Sequence, residues 1–250
     1  MSISVEITPL DAARQAAELA PEDPHAHAHL GYLLLAAGLV DDAEAQFRRA
    51  IEIDPDTASF HTAISNVQIR LGKPEAAIAP AQLAAALSPG DADTQAHLGY
   101  VLVATGHFDD AEAQFRRAIE IAPDNASFYT ALSNMQVRLG RPEAAIAPAR
   151  QAAALSPQDA NTQAHLGYIL IGAGLLDDAE AQFRRAIEIA PDQAKWRDAL
   201  EGVLARQSQS RPADTQPVPA APDETPPAQP ALEKPATQRG TSFWRFISGR

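Results

Sequence analysis

The chain reads as an all-α fold assembled from repeated helical hairpins, and three observations point there. The stretch DDAEAQFRRAIEI occurs three times unchanged, beginning at Asp41, Asp109 and Asp177, 68 residues apart. Prolines recur on half that period, at Pro55, Pro89, Pro123, Pro157 and Pro191, each 34 residues after the last. Within a unit, apolar residues follow helical spacing: Ala111, Phe115 and Ala118 recur at i, i+4 and i+7, the stripe that a helix buries on one side.

Each 34-residue unit predicts two helices. In the unit 92–125, Leu98, Gly99 and Leu102 share one face of a first helix, which Gly106 breaks. The Ala111–Phe115–Ala118 stripe belongs to a second helix, Pro123 ends it, and Asn125 is placed to cap the next one. The thrice-repeated stretch is the second helix of the odd units. Its two leading aspartates sit at the positive N-terminal end of the helix. Glu44 with Arg48, and Arg48 with Glu52, are expected as i,i+4 pairs worth a few tenths of a kcal/mol each. The even units carry smaller side chains, and Pro80 and Pro148 are expected to kink their second helices. One unit cannot bury its stripe alone, so stacked neighbours must bury it for each other. Near-identity at 68 residues implies duplication of a two-unit block.

This pattern resembles the tetratricopeptide repeat, whose 34-residue signature runs W-x2-L-G-x2-Y…A-x3-F…P. Gln95, Leu98, Gly99, Leu102, Ala111, Phe115 and Pro123 carry the resemblance in the third unit. The departures are Gln95 and Gln163 at the first aromatic place, Ser65 and Ser133 at the glycine, and Ala81 and Ala149 at the phenylalanine. The resemblance implies a right-handed superhelical solenoid of five units, residues 24–57, 58–91, 92–125, 126–159 and 160–193. Residues 1–23 are expected to form an N-terminal cap, a degenerate half repeat. Residues 194–206 are expected as a closing helix whose Trp196, Leu200 and Val203 cover the last apolar face.

Composition divides and bounds the rest. Twelve of the 20 prolines precede residue 206, and the other eight crowd a stretch poor in large apolar residues. Residues 207–242 are therefore expected to be a disordered linker, ahead of an aromatic-basic motif at 243–250. The formal net charge of −12 disfavours nucleic acid and anionic lipid as partners. With no cysteine there are no disulfides, thiolate metal sites or thiol nucleophile. The N-terminal stretch lacks the basic and apolar regions of a signal peptide, and no run approaches a membrane span, so the expected location is the cytoplasm.

No catalytic constellation is expected, and no cofactor. The GAG at 172–174 lacks the third glycine of a dinucleotide fingerprint, and no serine stands in a GxSxG context. His25, His27 and His29 form HAHAH, but no carboxylate completes a metal site, so the motif reads as a helix start with a groove histidine.

What the resemblance implies for binding is more specific. In this family the first helices line a concave groove that holds peptide segments of partner proteins. Carried over by position, the odd units offer His25, Ala28, His29 and Tyr32; Asp93, Ala96, His97 and Tyr100; and Asn161, Ala164, His165 and Tyr168. The even units offer Ser59, Thr62, Asn66 and Arg70, then Ser127, Thr130, Asn134 and Arg138. Asn66 and Asn134 can hold a peptide backbone, Arg70 and Arg138 can grip carboxylates, and the tyrosines give flat apolar surface with a polar tip. The alternative is that tyrosine and arginine pack across neighbouring rungs. The lysines of the family's carboxylate-clamp subclass are absent, since the fifth position holds only Ala or Thr.

Phe243, Trp244, Phe246 and Ile247, with Arg245 between them, read as a docking motif for a partner protein, a membrane surface or the chain's own groove, the alternative being that they fill the apolar end of the solenoid or are a fusion remnant. A flexible chain of the linker's length spans roughly 30–36 Å. The expected function is a non-catalytic scaffold or adaptor that binds a peptide segment of a partner protein. The alternatives are a self-associating structural protein and a membrane-surface adaptor using the terminal motif. The repeat register has a direct test: Leu98→Asp should bury an unpaired charge and lower the melting temperature sharply. An unchanged melt contradicts the register.

Overall fold

The computed structural model describes residues 8–210, and within them the polypeptide is α-helical. The twelve helices are α1 (Pro9–Leu19), α2 (Pro24–Ala36), α3 (Val40–Ile53), α4 (Ala58–Arg70), α5 (Pro74–Leu87), α6 (Ala92–Ala104), α7 (Phe108–Ile121), α8 (Ala126–Arg138), α9 (Pro142–Leu155), α10 (Ala160–Gly172), α11 (Leu176–Ile189) and α12 (Ala194–Ser210). Helices α2 to α11 pack as five hairpins in chain order, each against the next, with α1 before them and α12 after. No helix among the described residues is long and apolar enough to cross a membrane.

The turn inside each hairpin is the same. Gly38, Gly72, Gly106, Gly140 and Gly174 all have φ between 71° and 81°, the left-handed region that costs other residues a Cβ clash. At the first of them, Gly38 N–H donates to the Leu35 carbonyl (3.2 Å) and Leu39 N–H to that of Leu34 (2.9 Å), the Schellman pattern that satisfies a helix's last carbonyls. Asp91, Asn125 and Asp159 cap the helices that follow, their side chains accepting from the N–H of Asp93, Ser127 and Asn161.

The two kinds of unit solve the same packing problem with exchanged volumes. In the odd units, Gly31, Gly99 and Gly167 let the rings of Phe47, Phe115 and Phe183 lie so close that an added Cβ would meet ring carbon at 2.8–2.9 Å. Those phenylalanines are fully buried between α2 and α3, α6 and α7, and α10 and α11. In the even units serine stands at the glycine place and alanine at the phenylalanine place: Ser65 with Ala81, Ser133 with Ala149, all fully buried. Ser65 Oγ donates to the Ala77 carbonyl of α5 (3.0 Å), so the larger polar residue is satisfied. The aromatic place of the repeat signature is also filled by polar groups with defined partners. Gln95 and Gln163 donate to the carbonyls of Ala85 and Ala153 (3.1 Å each), while Tyr129 reaches the Pro123 carbonyl at 2.9 Å.

Two expectations need correction. Arg48 does not pair with Glu52. Two of its guanidinium nitrogens bind Glu44 Oε1 (3.0 and 2.5 Å), which Gln68 of α4 also contacts, and Glu52 pairs with Arg49 instead (3.3 Å). Pro80 and Pro148 lie inside α5 and α9, each a single helix of 14 residues. The closing helix runs to Ser210, four residues into the stretch expected as linker, because Gln207 ties it to Asp177 and Glu180 of α11 (2.8 and 3.0 Å). Trp196 and Val203 are buried under it and Leu200 partly so.

The volume exchange generates a double-mutant test. Gly99→Ser alone overpacks the ring of Phe115 and should cost about 1–3 kcal/mol. Phe115→Ala alone leaves a cavity and should cost about 3–5 kcal/mol. The double variant rebuilds the Ser65–Ala81 arrangement, so its loss in chemical denaturation should be clearly smaller than the sum. Additive losses would mean the two positions do not share a packing constraint.

Candidate functional site

The first helices α2, α4, α6, α8 and α10 present the expected groove residues unevenly. Tyr32, Tyr100 and Tyr168 are each about half exposed, at 48%, 50% and 48%. Each also sets its ring edge-on against the phenylalanine of its own hairpin, with centroids 5.0 Å apart. They therefore pack and present a face at once. Burial pushes the phenols of Tyr32 and Tyr100 above their ordinary pKa of 10.0, so they stay neutral. Asn66 and Asn134 are exposed, and neither amide has a side-chain hydrogen bond among the described residues.

The arginines lie at the far end of their helices. Arg138 stacks its guanidinium 5.7 Å over the Phe108 ring, and Arg70 reaches the Leu35 carbonyl at 3.5 Å. Neither pairs with a carboxylate among the described residues, so packing across rungs is part of their role. Ala28, Ala96 and Ala164, expected on the groove surface, are instead buried at 2–4% exposure, where neighbouring first helices approach each other.

The histidines divide as well. His29 is exposed. His97 and His165 turn inward and bridge two units: His97 Nε2 lies 2.9 Å from Ser65 Oγ, and His165 Nε2 lies 2.6 Å from Ser133 Oγ. Each serine donates its own proton to a backbone carbonyl, Ala77 for Ser65 and Thr130 for Ser133, so each imidazole nitrogen is the donor. The sequence held half of this signal, since serine replaces glycine where the next unit carries histidine. The HAHAH histidines go to separate places: His25 packs edge-on to Phe60, and His27 contacts Gln46 (2.8 Å) and the Pro21 carbonyl (3.1 Å).

Six of the expected residues come together, Ser127, Thr130 and Asn161 among them. Tyr100 of α6, Asn134 of α8 and His165 of α10 line one open cleft of about 840 Å³ across the first helices. Its other walls include Thr130, Asp124 and Asp159. The two aspartates went unnoticed in the sequence because they precede the helices and belong to no periodic stripe. Asp159 is held by Asn161 N–H (3.0 Å) and the Thr162 hydroxyl (2.5 Å), whereas Asp124 makes no side-chain hydrogen bond among the described residues. The cleft offers amide, phenol and carboxylate groups above a floor of alanine and threonine, which suits a polar extended chain rather than a compact apolar ligand. Among the described residues no group of three or more His, Asp or Glu side chains gathers to hold a metal ion. The terminal motif Phe243, Trp244, Arg245, Phe246 and Ile247 lies outside the described residues, as does the linker beyond Ser210.

Burial sets a pH dependence. Desolvation lowers the pKa of His97 and His165 below the ordinary 6.5, so the unfolded chain takes up these protons before the folded one. Their contribution is complete above 6.5 and is lost progressively as pH falls from there through the lowered folded value. Glu44, whose carboxyl is lowered chiefly by its hydrogen bond from Arg48, costs stability only at pH below its ordinary 4.5. The melting temperature should therefore drop between about pH 7.5 and about pH 5.5, and the drop should shrink in a His97→Gln/His165→Gln variant. An equal drop in both proteins would remove the histidines as its cause.

Comparison with known proteins agrees with the fold. Two family models, both described as tetratricopeptide repeat, match the chain, one over residues 97–160 and the other over 10–67 and 136–202. No curated protein matches the sequence significantly. Among solved structures, YrrB, a TPR protein with an unusual peptide-binding site, has a TM-score of 0.62 at 20% identity, spanning 77% of this chain and 99% of its own. MamA has a TM-score of 0.62 at 21% identity, spanning 70% of this chain and 96% of its own. PilF of Pseudomonas aeruginosa has a TM-score of 0.61 at 18% identity, spanning 82% and 95%. At these identities the likeness is one of fold.

Proposed function

This chain belongs to the tetratricopeptide-repeat family, and we propose that it is a non-catalytic interaction scaffold whose first-helix groove holds a peptide segment of a partner protein. The observation that carries the reading is the cleft where Tyr100, Asn134 and His165 meet. Asn134 stands there exposed, with a donor and an acceptor both free of side-chain partners among the described residues. An extended peptide has the complementary pair on every residue, and an amide side chain can meet both. Tyr100 supplies a rigid apolar face that loses little entropy when a ligand covers it, because its ring is already braced on Phe115. Asn66 and Tyr32 repeat the pair two units earlier. The peptide-binding site of YrrB, a protein of the same architecture, is consistent with this use of the groove.

Displayed peptide libraries selected on the purified chain test the reading. Selected peptides should bind the wild type at least roughly tenfold more tightly than the Asn66→Ala/Arg70→Ala/Asn134→Ala/Arg138→Ala variant. The variant should keep its helicity, because all four side chains are exposed. Selection of no peptide, or equal binding by both proteins, would sink the groove assignment. Growth of the chain's mass with concentration in sedimentation would instead favour self-association.

A further inference from the structure

The residues that line the cleft at α8 and α10 recur along the chain. Eleven of its thirteen lining residues recur unchanged 68 positions earlier, so that Tyr32, Asp56, Asn66 and Asp91 stand where Tyr100, Asp124, Asn134 and Asp159 stand downstream. One of the two differences adds charge, since Asp93 replaces Asn161. Neither set contains a lysine or arginine. Asp91 is engaged as a helix cap, through Asp93 N–H (3.2 Å) and the Thr94 hydroxyl (2.5 Å), as Asp159 is downstream. Asp56, Asp93 and Asp124 are exposed, and their carboxylates have no hydrogen-bond or ion-pair partner among the described residues. The histidines facing each set bridge to Ser65 and Ser133, and burial holds them towards the neutral form, so they do not offset this charge. Arg70 and Arg138 lie one helical turn beyond the asparagines, and Arg138 is turned onto Phe108.

Resting on the groove reading above, we propose that the partner is an extended basic segment that seats two lysine or arginine side chains, one at each of these two acidic sets. Each cation would meet a free carboxylate, the exposed face of a tyrosine and an asparagine carbonyl, a set that favours an ammonium or guanidinium over a neutral side chain. The register follows from helix packing. Two steps between first helices, at roughly 8–10 Å each, place the two sets about 16–20 Å apart. An extended chain advances about 3.3 Å per residue, so the two basic residues stand about five or six positions apart.

The test uses the full chain and fluorescent peptides of serine, threonine and alanine carrying two lysines about five residues apart, two glutamates at the same places, or one lysine. The two-lysine peptide should bind at least roughly tenfold more tightly than the two-glutamate peptide, with the single lysine between them. The preference should weaken as salt rises. It should vanish in Asp56→Asn/Asp93→Asn/Asp124→Asn, whose fold circular dichroism can check and whose altered side chains make no hydrogen bond among the described residues. Equal binding of lysine and glutamate peptides, or a preference that survives the triple substitution, overturns the proposal. If library selection yields neutral or acidic peptides that still depend on Asn66 and Asn134, the groove reading stands and the basic partner falls. If no peptide binds at all, both fall.

Discussion

The contact between Phe115 and the bare backbone of Gly99 governs much of the molecule. With the ring at a distance that no Cβ could tolerate, α6 and α7 are drawn together, and the same closeness brings Tyr100 edge-on to that ring with one face left to solvent. In the even units the ring is gone and a serine fills the gap from the other side. That serine then gives the next unit's histidine an acceptor inside the stack. Core volume thus decides which groups reach the groove. Tyrosine appears where phenylalanine is large, and histidine withdraws where the preceding unit is small.

The ends of the stack follow from the same need to bury a stripe. Helix α1 buries Ala13 and Ala17 and packs Leu10, partly buried, against the same core, and Thr8 caps it through Asp11 N–H (3.2 Å). Helix α12 uses a large residue, Trp196, with Lys195 lying 5.1 Å over its ring. The polar face of α12 meets α11 through Gln207. A polar outer helix at the last position keeps the apolar seam from continuing outward.

Much of this architecture was legible in the sequence because its punctuation is regular. Prolines at a fixed 34-residue interval and glycines at the hairpin turns bound every helix, and a 3.6-residue period fixes which side is buried. Tyr100, Asn134 and His165 could be placed on one wall by position alone. What escaped depends on distance in the chain or on exact reach. The Ser65–His97 bridge joins residues 32 apart, which no local pattern reports. Asp124 and Asp159 belong to turns, where periodicity says nothing. The burial of Ala96 depends on how closely neighbouring first helices approach, a tertiary quantity. Gln207 looked like the start of a polar tail, and only its contacts with α11 show that the helix carries on through it.

The three identical second helices have a consequence for how the chain finds its structure. Helix α6 cannot distinguish α7 from α3 or α11 by any side chain between the first aspartate and the last isoleucine, since those thirteen residues are the same. Each would offer it the same phenylalanine and the same alanines. What selects the right partner is tethering: residues 105–107 hold α7 beside α6, while every competing helix must close a far longer loop. Connectivity, rather than complementarity, encodes the pairing. Two molecules folding at high concentration lose that advantage, so exchange of whole hairpins between chains is the misassembly to which this repeated sequence is most exposed.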